Sequence, residues 1–220
     1  MEERSLEQNQ ARIKFSLEYL GFLDLNCIPT KDLEELSSSL VQLEEDGAAP
    51  VLPDGKVGGN AALLFSDNQI FVSKSGKKQG ERLQVNEFCL VSEFNRNDWK
   101  GKYYSCESSL KPSSDTPLLW NSLIEASTKY NWKETPKIAF HGHALADANS
   151  AKHLNLPISP EETLFSTPED LQALENLFQQ YPYPQNKIFI RRGHGFFLLA
   201  SSIHEAMTIY SEQIQPFIKN

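Results

Sequence analysis

The most regular stretch of the chain is TKDLEELSSSLVQLEED at 30–46, where Leu33, Leu36, Leu40 and Leu43 recur every three or four residues. That stripe predicts an amphipathic helix, with Thr30 placed to cap its start. Upstream, QARIKFSLEYLGFL at 10–23 has apolar residues at Ile13, Phe15, Leu17, Leu20 and Phe22. It is expected to form a helix of imperfect period. DGAAPVLPDGKVGGN at 46–60 is rich in Gly and Pro and reads as a loop.

The pattern then turns strand-like. AALLF and QIFVS flank Ser66-Asp67-Asn68, a hairpin signal, and EFCLVSEF at 87–94 is a further strand. PSSDTPLLWNSLIEASTKY predicts a helix with Pro117 in its first turn. KIAFHGH reads as a strand and ALADANSAKHL as a short helix. In STPEDLQALENLFQQY, Thr167 caps, Pro168 opens the helix, and Leu171, Leu174 and Phe178 form its stripe. KIFIRRGHGFFLLAS gives two strand pieces broken at Gly193. Ser202 and Glu205 predict a capping box for a last helix. Helices alternate with strands and no repeat is visible, so the expected architecture is an α/β or α+β domain with helices on a central sheet.

Composition narrows the function. The 220 residues suit one domain over 1–220, with the polar 1–10 expected to be disordered. A net charge of −8 argues against nucleic-acid binding. An anionic substrate would need local backbone amides or a metal. Cys27, Cys89 and Cys106 make an odd count with no C-x-x-C pair, so neither a disulfide framework nor a cysteine-rich zinc site is expected. The acidic start is no secretory signal and no apolar run reaches membrane length, which predicts a reduced, cytoplasmic protein without membrane partners.

The chemistry lies in three histidines. His141 and His143 are two apart in a predicted strand, so their side chains share one face and could share one ion. A pair of hydrogen-bonded structural histidines is the bland alternative. His194 stands between two glycines at a strand break, where tight backbone geometry beside a site is expected. His153 and His204 fall in predicted helices and read as surface or packing residues.

Five pieces in order resemble the class II aldolase/adducin family, from about residue 10 to the C-terminus. They are GGN at 58–60, SKSGKK at 73–78, KPSSDTP at 111–117, HGH at 141–143 and GHGFFLLASSIHEA at 193–206. The resemblance implies a single domain with a mainly antiparallel sheet covered by helices. It implies that His141, His143 and His194 hold one divalent ion, usually Zn²⁺, leaving a position for substrate oxygen. It also implies a phosphate pocket from Gly59, Asn60, Ser75, Gly76, Ser113 and Ser114, whose backbone amides and hydroxyls suit an anion. Asp115 stands where family aldolases have Glu and ribulose-phosphate 4-epimerases have Asp, and is read as ligand or base.

Three departures accompany this. Leu119 replaces the usual histidine four residues after the acid. LNLPISPEETLFSTPED replaces the epimerase T-H-A-D-Y segment, with Glu161 and Glu162 falling nearby. The family's enzymes often supply a tail tyrosine, whereas the last tyrosine here, Tyr210, is in a predicted helix. The resemblance implies a metal-dependent enzyme on a phosphorylated sugar or hydroxy-carbonyl compound, working through a metal-stabilised enediolate. Aldol cleavage is expected over epimerisation or dehydration. A non-catalytic, adducin-like interaction domain is the alternative. A homotetramer with sites at subunit interfaces is implied as well.

Overall fold

The computed structural model describes residues 15–51, 55 and 57–218. The segments expected to be disordered at 1–10, and Ile13, lie outside them. In chain order the elements are β1 (Ser16–Phe22), α1 (Thr30–Glu45), β2 (Gly59–Ser66), β3 (Gln69–Ser73), β4 (Phe88–Asn95), β5 (Lys100–Ser105) and α2 (Thr116–Trp120). A π-helical turn, Asn121–Glu125, joins α2 to α3 (Ala126–Lys129). Then come β6 (Ile138–Gly142), α4 (Ala148–Leu154), α5 (Pro168–Gln180), β7 (Ile188–Arg191), β8 (Gly195–Ala200) and α6 (Ile203–Ile209). A second π turn, Tyr210–Ile214, leads into α7 (Gln215–Ile218).

The eight strands form one sheet in the order β1-β5-β4-β3-β2-β6-β8-β7. The β1–β5 pair is parallel and the other pairs are antiparallel. Both faces are covered. On one face α1 lays Leu33, Leu36, Leu40 and Leu43 against Leu63, Phe71, Phe140 and Leu198, and α6 adds Ile203 and Ala206. On the other, Leu118, Leu119 and Leu123 join Leu171, Leu174 and Phe178 of α5 over Ala62, Val72, Ala139, Phe197 and Leu199. Each buried Leu or Phe contributes about 1.5–3 kcal/mol. Alternation sorts β8 cleanly: Phe196, Leu198 and Ala200 face α1 and α6, while Phe197 and Leu199 face α2 and α5. Buried Glu175 ties α5 to the neighbouring helix by accepting from Arg96, Lys129 and Asn121.

Three local expectations change. The stretch expected as a helix at 10–23 is strand β1 over its described part. Phe15, Leu17 and Tyr19 alternate, and the backbone pairs with β5 instead of with itself. Leu20 and Phe22, counted toward a helical stripe, are 39% and 67% exposed. Thr30 does not cap α1; its hydroxyl donates to Ile28 O at 3.4 Å. At α6, Ser202 Oγ accepts from Glu205 N at 3.1 Å, but the Glu205 carboxylate turns to Ser201 and Lys187, so only half the box forms. Strand β5 carried no earlier expectation. Among the described residues no helix is long and apolar enough to cross a membrane.

Candidate metal centre

Sheet register places the site. Asn60 of β2 is opposite His141 of β6, and His141 is opposite Phe197 of β8. His141 alternates with Phe140 and therefore faces α2 and α5, stacked on the Phe197 ring at 4.3 Å between centroids. His143 follows one residue beyond the strand on the same side. The β7–β8 turn brings in His194. It can approach β6 so closely because Gly195 has φ +142°, and a Cβ there would lie 2.0 Å from Gly142 O. Asp115 comes from the start of α2. It sits where a helix cap would, yet its side chain makes no cap hydrogen bond and turns into the site.

The four side chains converge. Each of Asp115, His141, His143 and His194 offers one ligand atom, and these atoms lie within 4.8 Å of one another. His141 Nε2 is 3.1 Å from His194 Nε2. Asp115 Oδ2 is 3.9 Å from His141 Nε2, and Oδ1 is 3.8 Å from His194 Nε2. His141 is fully buried, and Asp115 and His194 are nearly so. His143 is partly open.

A layer of polar groups fixes these atoms. His141 Nδ1 is 2.8 Å from Phe196 O, which can only accept, so the proton is on Nδ1 and Nε2 is bare. His194 Nδ1 lies 3.0 Å from Asp170 Oδ2, off the line of an ideal hydrogen bond. The Phe165 ring covers His194, stacked at 4.2 Å and 11°. Buried Arg191 donates from Nε to Asp170 Oδ1 at 3.0 Å, and Thr163 Oγ1 donates to the same oxygen at 3.1 Å. Asn60 Nδ2 donates to Asp115 Oδ2 at 2.6 Å, and Ser166 Oγ donates to Oδ1 at 2.7 Å. None of Asp170, Arg191, Thr163, Phe165 or Ser166 stood out in the sequence.

Burial holds the His141 imidazole well below its ordinary titration range, and His194 beside it adds to this. Burial likewise lowers His143 to about 4. For Asp115, burial pushes the carboxyl up, but the facing His194 and His141 outweigh it and hold the acid below its usual value. Asp170 behaves similarly: burial opposes ionisation, and His194 with Arg191 brings it down to about 2.

This donor set fits a divalent cation. The bare Nε2 of His141, the facing Nε2 of His194 and the Asp115 carboxylate beside them are donor atoms that one divalent cation can share. Two nitrogens on one tetrahedral zinc at 2.0–2.1 Å would be about 3.3 Å apart, close to the observed 3.1 Å. Imidazole and carboxylate suit zinc and its divalent neighbours.

The expected phosphate residues divide in two. Lys74 bridges to Pro112, Ser75 N donates to Lys111 O at 2.8 Å, and Ser113 N donates to Ser73 O at 3.1 Å. The exposed Ser75-Gly76 turn therefore lies beside the segment that ends in exposed Ser114. The other three have duties inside the fold. Gly59 has no room for a Cβ, which would meet the Ala49 Cβ at 2.7 Å. Asn60 serves Asp115, and its Oδ1 is buried without a partner. Ser113 Oγ accepts from Asp115 N at 3.3 Å. Lys77 of the same basic piece is buried in an ion pair with Glu44 of α1.

The departures from the family pattern also have places. Leu119 is fully buried in the core. Tyr210 donates to Asp46 Oδ2 at 3.1 Å, away from the histidines. The Glu162 side chain packs against Gly193, and a Cβ added there would lie 2.8 Å from Glu162 Cγ. His153 and His204 are exposed, with His153 edge-on to Phe217.

No family model matches the chain. A methylthioribulose-1-phosphate dehydratase from Pectobacterium carotovorum subsp. carotovorum (strain PC1) is 26% identical over 160 residues, 68% of this chain and 76% of the relative. YgbL from Klebsiella pneumoniae superposes with a TM-score of 0.57 at 18% identity, over 86% of this chain and 87% of that one. A sugar-phosphate aldolase from Thermotoga maritima gives 0.58 at 14%, over 86% and 90%. The chain has the class II aldolase fold.

Proposed function

We propose that the protein is a metal-dependent lyase acting on a phosphorylated keto sugar or a similar hydroxy-carbonyl phosphate. The convergence of Asp115, His141, His143 and His194 carries this reading. Dehydration is favoured over aldol cleavage, because the sequence match is to a dehydratase, whereas likeness to aldolases at 14% identity bears on the fold alone. Aldol cleavage is the second reading and needs the same site.

The three imidazoles and Asp115 would hold one divalent ion, most simply zinc. When bound it supplies Lewis-acid stabilisation of negative charge on neighbouring substrate oxygens. Both oxygens of Asp115 are held, one by Asn60 and one by Ser166, so Asp115 acts as a fixed anionic ligand, not a mobile base. Glu162 is an exposed carboxylate packed on the turn that carries His194, and takes the proton-transfer role. Partly open His143 marks the side from which substrate arrives. Ser75, Gly76 and Ser114 bind the phosphate, and Gly59, Asn60 and Ser113 frame that end. Ser114 adjoins Asp115, so phosphate and reacting centre are held side by side, which lowers the entropic barrier. Assembly as a homotetramer belongs to this reading.

The test is an assay of zinc-reconstituted and metal-stripped protein on ketose 1-phosphates, with products read by mass spectrometry. Metal-dependent loss of one water supports dehydration. Two carbonyl fragments support aldol cleavage. No turnover of any such phosphate by the loaded protein refutes the enzyme reading.

A further inference from the structure

Ser166 has all three polar groups engaged, two of them at the metal centre, although no sequence pattern marked it. Its hydroxyl donates to Asp115 Oδ1 at 2.7 Å. Its amide donates to Asp170 Oδ2 at 3.1 Å, the same oxygen that lies 3.0 Å from His194 Nδ1. Its carbonyl accepts from buried Trp99 Nε1 at 3.3 Å. The residue is 4% exposed. Its φ is +58°, a left-handed conformation that a side chain makes unfavourable outside glycine and asparagine. Strained backbone of this kind persists where surrounding contacts over-determine it, and such places cluster at functional sites.

We infer that Ser166 is a positioning residue for the metal centre: one residue holds Asp115 on one side of the ligand group and, through Asp170, His194 on the other. The inference rests on the metal-site reading above. The two sides come from distant parts of the chain, since Asp115 begins α2 and Asp170 lies in the first turn of α5. Apart from Ser166, nothing among the described hydrogen bonds joins the two carboxylates. Thr167 then caps α5 and fixes the backbone on which Ser166 sits, accepting from Asp170 N at 3.3 Å. The neighbouring Phe165 covers the His194 ring. The 165–167 segment is thus a strap whose central residue sets the spacing of two ligands. Partners behind metal ligands typically change metal affinity by about 10–100-fold when removed, and the same is expected of the Ser166 hydroxyl.

The experiment compares wild type with Ser166→Ala and Ser166→Gly. Both variants lose the hydroxyl and keep the amide on Asp170. Glycine also accepts the left-handed φ without strain. Each protein is stripped, loaded with Co²⁺ for its absorption spectrum, and titrated with Zn²⁺ against a chelator. Melting of the metal-free forms is recorded in parallel. The expected result is a shifted cobalt spectrum and zinc affinity lower by about 10–100-fold in both. Metal-free melting of Ser166→Gly, in which the lost donor to Asp115 opposes the relieved strain, shows whether the fold survives. Wild-type spectrum and affinity in Ser166→Gly would overturn the inference, whatever the fate of the alanine variant. Failure of the wild type itself to bind either metal would overturn the metal reading, and this inference with it.

Discussion

His141 Nε2 and His194 Nε2 face each other at 3.1 Å between β6 and the β7–β8 turn, while the other nitrogen of each ring is turned to Phe196 O or Asp170 Oδ2. Moving the His141 proton inward would give up its bond to Phe196 O, a loss of about 0.5–1.5 kcal/mol. The Nε2 of His141 is thereby turned toward His194 and Asp115, as the proposed metal site requires.

Protein purified without chelators should carry about one divalent ion per chain, with zinc the leading candidate. His194→Ala should lose most of it and stay folded, because His194 sits in a turn. His153→Ala, changed at an exposed ring against Phe217, should keep its metal. Elemental analysis decides, and equal loss in both variants would mean that the wrong histidines have been grouped.

Stability of the metal-free protein should fall as pH drops from 6.5 toward 4. His141 and His143 titrate below their unfolded value, His143 at about 4. In that window the unfolded chain binds more protons than the folded one, so protonation favours unfolding. At about 1.36 kcal/mol per pKa unit, His143 alone accounts for roughly 3 kcal/mol. Carboxylates such as Asp170, whose folded value is depressed, act in the same direction but only near and below their unfolded range of about 4. The fall between about pH 6.5 and 5 therefore belongs to the histidines. Urea denaturation in chelator at several pH values measures it; a flat profile would contradict the depressed imidazoles.

Arg191→Ala should destabilise by about 3–5 kcal/mol, because it strands the fully buried Asp170 carboxylate without its cation. Lys102→Ala breaks an exposed pair with Glu93 and should cost less than about 1 kcal/mol. Denaturant melts of the two variants give the contrast. Similar losses would mean that the Arg191 charge is not what holds Asp170.

A sugar phosphate should raise the melting temperature of the metal-loaded protein by binding the folded state. Ser114→Asp places a negative charge beside the Ser75-Gly76 turn and should abolish that shift while metal stays bound. Thermal melts with and without ligand report it. Undiminished stabilisation of the variant would remove the phosphate half of the proposed function.

Gly195→Ala should cost several kcal/mol and weaken metal retention together. The new methyl group would meet Gly142 O and His143 Cα, the backbone that carries His141 and His143. Loss of stability with normal zinc affinity would show that the hairpin can shift without moving His194.

The converging histidines were readable because their signals are local. A strand puts His141 and His143 on one face by its period of two, and two glycines around His194 announce a tight turn. The leucines of α1 and the stripe of α5 obey the same kind of rule. What holds these side chains and Asp115 in place was not readable. Asn60, Ser166, Asp170 and Arg191 are ordinary polar residues until distant strands and helices bring them together. Asp170 reads as a plain helix-start acid, and Ser166 as a residue before a cap. Strand β1 was mistaken for a helix because Leu17 and Leu20 are three apart. Its pairing with β5, not its own periodicity, decides its state. Strand β5 was missed because KGKYYS mixes lysines with small and aromatic residues.

The site is assembled from the head of α2, the end of β6 and the β7–β8 turn, segments far apart in the chain. None of them can present a working ligand set before β8 has closed onto β6. Contacts between distant segments form slowly, since loop closure precedes any reward. In refolding, metal capture should therefore lag behind the helical signal of locally encoded α1 and α5. The ion would be a clock for the last step of sheet closure, and a chain synthesised only as far as β6 would leave the ribosome unable to hold it.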